Sequence, residues 1–162
     1  MKKFFQLEGF LPYRFDRLAK HISVSFAEVY RRRFDISVPQ WRILALLQET
    51  PHLSSKAIAQ QGNLDKVMVS RAVADLEARG LLRRYLSSGD ARVNELCLTP
   101  EGIRLFESIA PLALRWEEDF LGVLTEDDRR DLARILHRLE EHAKMPAEVE
   151  AEVEAIVGAA TL

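Results

Sequence analysis

The chain has 162 residues, enough for one domain with a real core or for a small domain plus an oligomerisation element. A hydrophobic fraction of 48% beside 30% charged residues argues against disorder, and no apolar run approaches the roughly eighteen residues of a membrane span. The net charge of −2 conceals an asymmetry, because residues 1–95 carry 16 Lys/Arg against 10 Asp/Glu while residues 96–162 carry 7 against 15. A basic first part beside an acidic second part implies different partners for the two. The opening MKKFFQLEGFLPYR has two lysines but neither a long apolar stretch nor a small-residue cleavage site, so no signal peptide is read. Cys97 is the only cysteine, which excludes an internal disulfide framework and suits a reducing cytoplasm, the expected location.

In chain order, Phe15, Leu18, Ile22, Phe26 and Val29 recur at steps of three or four. That spacing predicts a helix of about twenty residues, started by Pro12 and ending in Arg31, Arg32 and Arg33. In SVPQW, Ser37 and Gln40 form a capping box with Pro39 inside the first turn. The helix that follows, through Trp41, Ile43, Leu44, Leu46 and Leu47, is apolar almost all round and therefore expected to be buried. After the break at ETPH, Ser54 caps a short helix carrying Ile58, which Gly62 ends. A further helix is expected from about Asp65 to Arg79, stopping at Gly80. Its residues Val69, Ala72, Val73 and Leu76 sit at i, i+3, i+4 and i+7 and must face a core.

The stretch LLRRYLSSGDARVNELCLT then reads as two short strands around a tip at Ser87, Ser88, Gly89, Asp90, Ala91 and Arg92. Thr99 and Pro100 start another helix, through Ile103, Phe106, Ile109, Leu112 and Trp116 to about Val123, with Pro111 expected to kink or open it. Thr125 and Asp128 form a second capping box, and Leu132, Ile135, Leu136 and Leu139 mark a last core helix. Past Pro146 the acidic AEVEAEVEAIVGAATL reads either as a helix against a partner chain or as a frayed tail. The expected fold is therefore mostly α with a small antiparallel β-hairpin: a winged helix-turn-helix with a helical dimerisation domain. Residues 37–98 make the DNA-binding domain, 1–36 and 99–145 the dimerisation region, and 146–162 an acidic extension.

A helix-turn-helix lays its second helix in the major groove. The face opposite the apolar stripe collects Lys66, Val67, Ser70, Arg71 and Ala74. Lys66 and Ser70 suit phosphates or base edges and Arg71 suits a guanine O6/N7 pair. Val67 and Ala74 are small enough to admit the backbone or to touch a thymine methyl. Ser54, Ser55 and Lys56 are placed to meet the phosphate backbone. At the hairpin tip, Arg92 is read as a minor-groove probe and Asp90 as the acid that pre-orients it. Arg83 and Arg84 on the entering strand either add phosphate contacts or form a polar strand face.

Three motifs in order, ISVPQWRILALL, LDKVMVSRAVADLEARGLLRR and GDARVNELCLTPEG, resemble the MarR family of transcriptional regulators over roughly residues 13 to 142. The match is to the family's second helix, its recognition helix and its wing with D-x-R. The resemblance implies a homodimer with interleaved terminal helices on a pseudo-palindromic operator. It also implies release by an effector, hence a ligand-relieved repressor, with Asp90 and Arg92 as the wing pair. FLPYRFDRLAKHIS is similar to members that sense aromatic acids or their coenzyme A thioesters. On that basis Arg17, His21, Tyr30, Trp41, Phe106 and Trp116 are candidate effector residues, beside the plainer readings of core packing for the aromatics and a solvated helix face for Arg17 and His21.

Competing readings stay open. Cys97, expected on the strand face opposite Leu96 and Leu98, is a candidate redox sensor, although the family's peroxide sensors carry their cysteine near the N-terminus. His137, Glu141 and His142 on the last helix form a candidate metal cluster. An enzyme finds no glycine-rich phosphate loop, nucleophile elbow or HExxH, and no motif calls for a cofactor.

Overall fold

A computed structural model describes residues 5–86 and 94–143. After a 3₁₀ turn at Leu7–Gly9, the order is α1 (Leu11–Phe34), α2 (Val38–Glu49), β1 (Leu53–Ser54), α3 (Ser55–Gln61), α4 (Lys66–Ala78), β2 (Leu82–Leu86), β3 (Asn94–Leu98), α5 (Pro100–Leu121) and α6 (Glu126–Ala143). Two compact units are formed, Met1–Glu118 and Asp119–Leu162.

The first unit is built on local signals that the chain states clearly. Pro12 lies in the first turn of α1, where its missing N–H costs nothing. Ser37 and Gln40 form the full capping box of α2: the Gln40 Oε1 accepts from the Ser37 N–H at 2.7 Å and the Ser37 Oγ from the Gln40 N–H at 3.4 Å. Ser54 caps α3 and Asp65 caps α4, the latter accepting from the Met68 N–H at 2.7 Å. Ile43, Leu44, Leu47, Ile58, Val69, Val73 and Leu76 are essentially inaccessible and make one core with Tyr30, Leu82, Leu96 and Ile109.

The turn between α3 and α4 divides its labour between two residues. Asn63 takes the left-handed conformation (φ 48), whereas Gly62 does not. Gly62 is required for another reason: a Cβ there would lie 2.8 Å from the Ile58 carbonyl oxygen and 3.2 Å from a Leu46 methyl. Arg42 braces this turn, donating to the Gly62 carbonyl at 3.2 Å and to the Ser23 hydroxyl of α1 at 3.4 Å.

The sheet has three strands rather than the two expected. Its order is β1-β3-β2, antiparallel throughout, with Leu53 opposite Leu96 and Arg83 opposite Cys97. β1 is only two residues long, too short to show alternation, and it lies between the break at ETPH and the helix that Ser54 caps. α5 is seated against the start of β2: Thr99 donates its N–H to the Leu81 carbonyl at 3.1 Å and its hydroxyl to the Gly80 carbonyl at 2.7 Å. Pro111 does not break α5, which continues unbroken to Leu121.

In the second unit, α6 starts as expected. The Thr125 Oγ1 donates to Asp128 Oδ2 at 2.6 Å and accepts from the Asp128 N–H at 3.2 Å. The expectation of a core helix is corrected, however, because α6 buries none of its residues. Leu132, Ile135, Leu136 and Leu139 are 39–46% exposed, an apolar stripe left open among the described residues. The N-terminal half of α1 behaves alike, with Phe15 and Leu18 exposed while Ala27 and Tyr30 further along are buried.

Candidate nucleic-acid interface

α3, the four-residue turn and α4 present one continuous face. The stripe Val69, Ala72, Val73 and Leu76 faces inward at 0–7% exposure, so helical geometry turns Lys66, Val67, Ser70, Arg71 and Ala74 outward. All five are exposed, as the sequence predicts. Among the described residues Lys56, Lys66 and Arg71 form no ion pair, which leaves three cations on this face available to phosphates. Ser54 and Ser55 are half-buried, and the Ser54 Oγ already accepts from the Ala57 N–H at 3.1 Å, while its proton stays available to donate to a phosphate oxygen. Met68, half-exposed in the first turn of α4, belongs to the same surface and escaped the sequence reading. Its i+1 position beside Val67 was the available signal.

The strand arginines are less free than their sequence suggests. Arg84 pairs with Glu77 of α4 at 2.9 Å. Arg83 lies over the Tyr85 ring at 4.7 Å from its centroid, and a hydrogen bond to Cys97 raises its pKa further. Both flank the hairpin tip, where Asp90 and Arg92 lie outside the described residues.

The six candidate effector residues separate into two groups. Tyr30, Trp41, Phe106 and Trp116 join Phe26 in a packed aromatic cluster, with Trp41 stacked on Phe106 at 5.5 Å and Phe26 5.3 Å from Trp116. Tyr30 is 1% exposed, and burial pushes its hydroxyl up to about 12. Arg17 and His21 instead line an open groove of about 360 Å³ along α1, together with Leu11, Arg14, Phe15 and Leu18. Arg17 and Tyr30 stand thirteen positions apart on α1, roughly 20 Å of helix, more than a one-ring compound spans.

Cys97 does lie on the face opposite Leu96 and Leu98, beside Arg83, but it is buried at 7% exposure. A thiol so covered lacks the access that a redox sensor needs. Among the described residues no group of three or more His, Cys, Asp or Glu is placed to hold a metal ion; His137, Glu141 and His142 are exposed on α6.

A short helix and a second helix joined by a tight turn, packed on a three-stranded antiparallel sheet, define a winged helix-turn-helix module. The model of the MarR family matches residues 34–93. The transcriptional regulator FarR of Neisseria gonorrhoeae is 36% identical over 108 residues, 62% of this chain and 74% of that protein. The chain belongs to the MarR family of DNA-binding transcriptional regulators and is not an enzyme. It spans 65% of a Thauera aromatica relative that is 31% identical over 108 residues, which is 66% of this chain. A MarR/EmrR family regulator of Acinetobacter sp. ADP1 superposes with a TM-score of 0.77 at 25% identity, covering 86% of this chain and 98% of that one. BpsR of Bordetella bronchiseptica, whose DNA binding is regulated by 6-hydroxynicotinic acid, shares the fold with a TM-score of 0.75 at 19% identity, over 89% of this chain and all of that one. No helix among the described residues is long and apolar enough to cross a membrane.

Proposed function

We propose that the protein is a homodimeric repressor that reads a pseudo-palindromic operator and releases it on binding an aromatic acid or its coenzyme A thioester. The observation that carries the DNA reading is the exposed set Lys66, Ser70 and Arg71 on the outward face of α4, whose two cations form no ion pair among the described residues. Arg71 reads a guanine edge, Val67 and Ala74 admit the base edges, and Lys56, Lys66, Ser54 and Ser55 fix register on phosphates. Arg92 enters the minor groove, oriented by Asp90, while Arg83 contributes charge near the tip.

Residues 37–98 then form the DNA-binding domain. Residues 1–36 and 99–145 form the dimerisation region, supported by the uncovered apolar stripes on α1 and α6. The effector reading rests on the α1 groove, where Arg14, Arg17 and His21 stand beside Leu11, Phe15 and Leu18: cations for a carboxylate next to apolar surface for a ring. Regulation of BpsR by an aromatic acid on a like fold supports it. The cluster Tyr30, Trp41, Phe106 and Trp116 is core packing beyond the reach of a one-ring acid in that groove, or the second contact of a longer thioester.

The test is release of fluorescein-labelled operator DNA by simple aromatic acids and by p-coumaroyl-CoA, in the full protein and in Arg17→Ala. Release from the full protein that is lost in Arg17→Ala, with operator affinity kept, supports the reading. Equal release from both places the effector elsewhere.

A further inference from the structure

At the C-terminal end of α4, away from the exposed cationic face, six residues close a ring of polar contacts. α1 ends at Asp35, which adopts the left-handed conformation (φ 51) and leaves the last carbonyls of the helix without intrahelical partners. Arg79 takes two of them: its Nη1 donates to the Asp35 carbonyl at 2.7 Å and its Nη2 to the Phe34 carbonyl at 3.1 Å. Nη1 also lies 3.8 Å from Asp75 Oδ2. That carboxylate oxygen accepts from Gln40 Nε2 at 2.5 Å, and Gln40 Oε1 in turn accepts from the Ser37 N–H at 2.7 Å. The end of α1, the start of α2 and the far end of α4 thus meet through one guanidinium, one carboxylate and one amide.

Apolar packing alone would hold these helices together, but it tolerates slip. A guanidinium fork across two successive carbonyls does not, because both its distances and its plane are fixed. Gln40 is the one buried polar side chain of the core among the described residues, and burial of an amide is tolerated only when it is hydrogen-bonded, as it is at both ends here. The polar ring therefore costs stability relative to an apolar joint and gains directional definition. What it defines is the placement of α4 relative to α1.

We infer that Arg79, held by Asp75 and Gln40, is a positioning residue for DNA reading: it ties the end of α4 to α1 and so sets the half-site spacing the protein accepts. This rests on the reading of α1 as part of the dimer face. Spacing between half-sites is fixed by the distance between two recognition helices, and a recognition helix pinned to a dimerisation helix inherits that helix's position.

The experiment uses the full-length protein and an operator selected from randomised duplex DNA, with variants whose half-sites stand one base pair closer or farther apart. Affinities are measured for the full protein, Arg79→Met and Arg79→Lys, beside their thermal midpoints. The full protein should bind the shifted duplexes at least about tenfold more weakly. Arg79→Met should lose affinity for the selected spacing and, at equal folded fraction, flatten the spacing preference to within about threefold. Arg79→Lys, which reaches one carbonyl rather than two, should fall between. If Arg79→Met does not fold, Arg79→Lys and Asp75→Asn decide by the same ratio. A spacing preference unchanged in folded variants overturns the inference while leaving the dimeric reading intact. A full protein indifferent to spacing overturns both.

Discussion

Gly102 offers the sharpest test of how α5 is seated. A Cβ built on Gly102 would stand 2.0 Å from the Leu81 carbonyl oxygen and 3.0 Å from the Leu81 carbonyl carbon. Both obstacles are backbone, so no rotamer change relieves them, and the first turn of α5 must withdraw by about 1 Å or more to restore ordinary packing distances. Withdrawal strains three hydrogen bonds: Gly102 N–H to Thr99 Oγ1 at 3.1 Å, Thr99 N–H to Leu81 O at 3.1 Å and Thr99 Oγ1 to Gly80 O at 2.7 Å. Overpacking of this kind costs about 1–3 kcal/mol, and each lost hydrogen bond about 1 kcal/mol. The helix propensity of alanine returns at most about 1 kcal/mol. With two of the three hydrogen bonds lost, the net loss for Gly102→Ala is about 2–4 kcal/mol, a large share of a typical stability of about 5–15 kcal/mol. Urea unfolding followed by the fluorescence of Trp41 and Trp116, at fixed protein concentration, reads it as a midpoint lowered by about 1–2 M at unchanged slope. Gly9→Ala, with no atom within 4 Å of its Cβ, is the control and should leave the midpoint in place. A Gly102→Ala protein as stable as the unsubstituted chain would refute this seating of α5 on Leu81.

Two further outcomes follow from local chemistry. Hydrogen bonds from the Thr125 hydroxyl and then its backbone N–H hold the Asp128 carboxyl below its ordinary pKa. A folded-state pKa below the unfolded one gives stability that is present above the unfolded value, about 3.9, and is lost as pH falls through the folded value. Thr125→Val should accordingly flatten the acid limb of the stability profile below about pH 4, seen in thermal midpoints across that range; an unchanged limb counts against the cap. On DNA, Arg71→Ala should lose about 1–3 kcal/mol and relax base preference at one position per half-site, with equal losses on every sequence marking a phosphate contact instead. Arg92→Ala should weaken binding most on operators with A·T-rich flanks, and binding indifferent to flank sequence removes the minor-groove role.

The parts of this molecule that were legible in its sequence are those decided within one or two turns of chain. The Ser37–Gln40 box, the Thr125–Asp128 box and the inward stripe of α4 all act over three to seven residues, so their spacing states them directly. The same holds for the outward face of α4, which is the complement of that stripe. What could not be read is non-local. β1 is two residues long and exists through pairing with Leu96, 43 positions further on. Arg79 reads as the charged end of a helix, while its carbonyl partners lie 44 and 45 residues upstream. Alternation places Cys97 on the correct face but says nothing of Arg83 and Tyr85, which interact with it there. The stripe of α6 was visible as apolar, yet an apolar stripe does not say whether its own chain or another covers it. The six effector candidates divide into two groups for the same reason: Tyr30 and Arg17 share a helix but not a neighbourhood.

The central claim is that the face of α3 and α4 binds DNA through its unpaired cations. The most direct measurement is a fluorescence-anisotropy titration on the promoter DNA beside the protein's own gene, at two salt concentrations, for the full protein and for Lys66→Ala. The account predicts tight binding that weakens steeply as salt rises, with a salt slope shallower by about one unit in Lys66→Ala because one phosphate contact is gone. Weak binding indifferent to salt, or a slope that Lys66→Ala leaves unchanged, would contradict it.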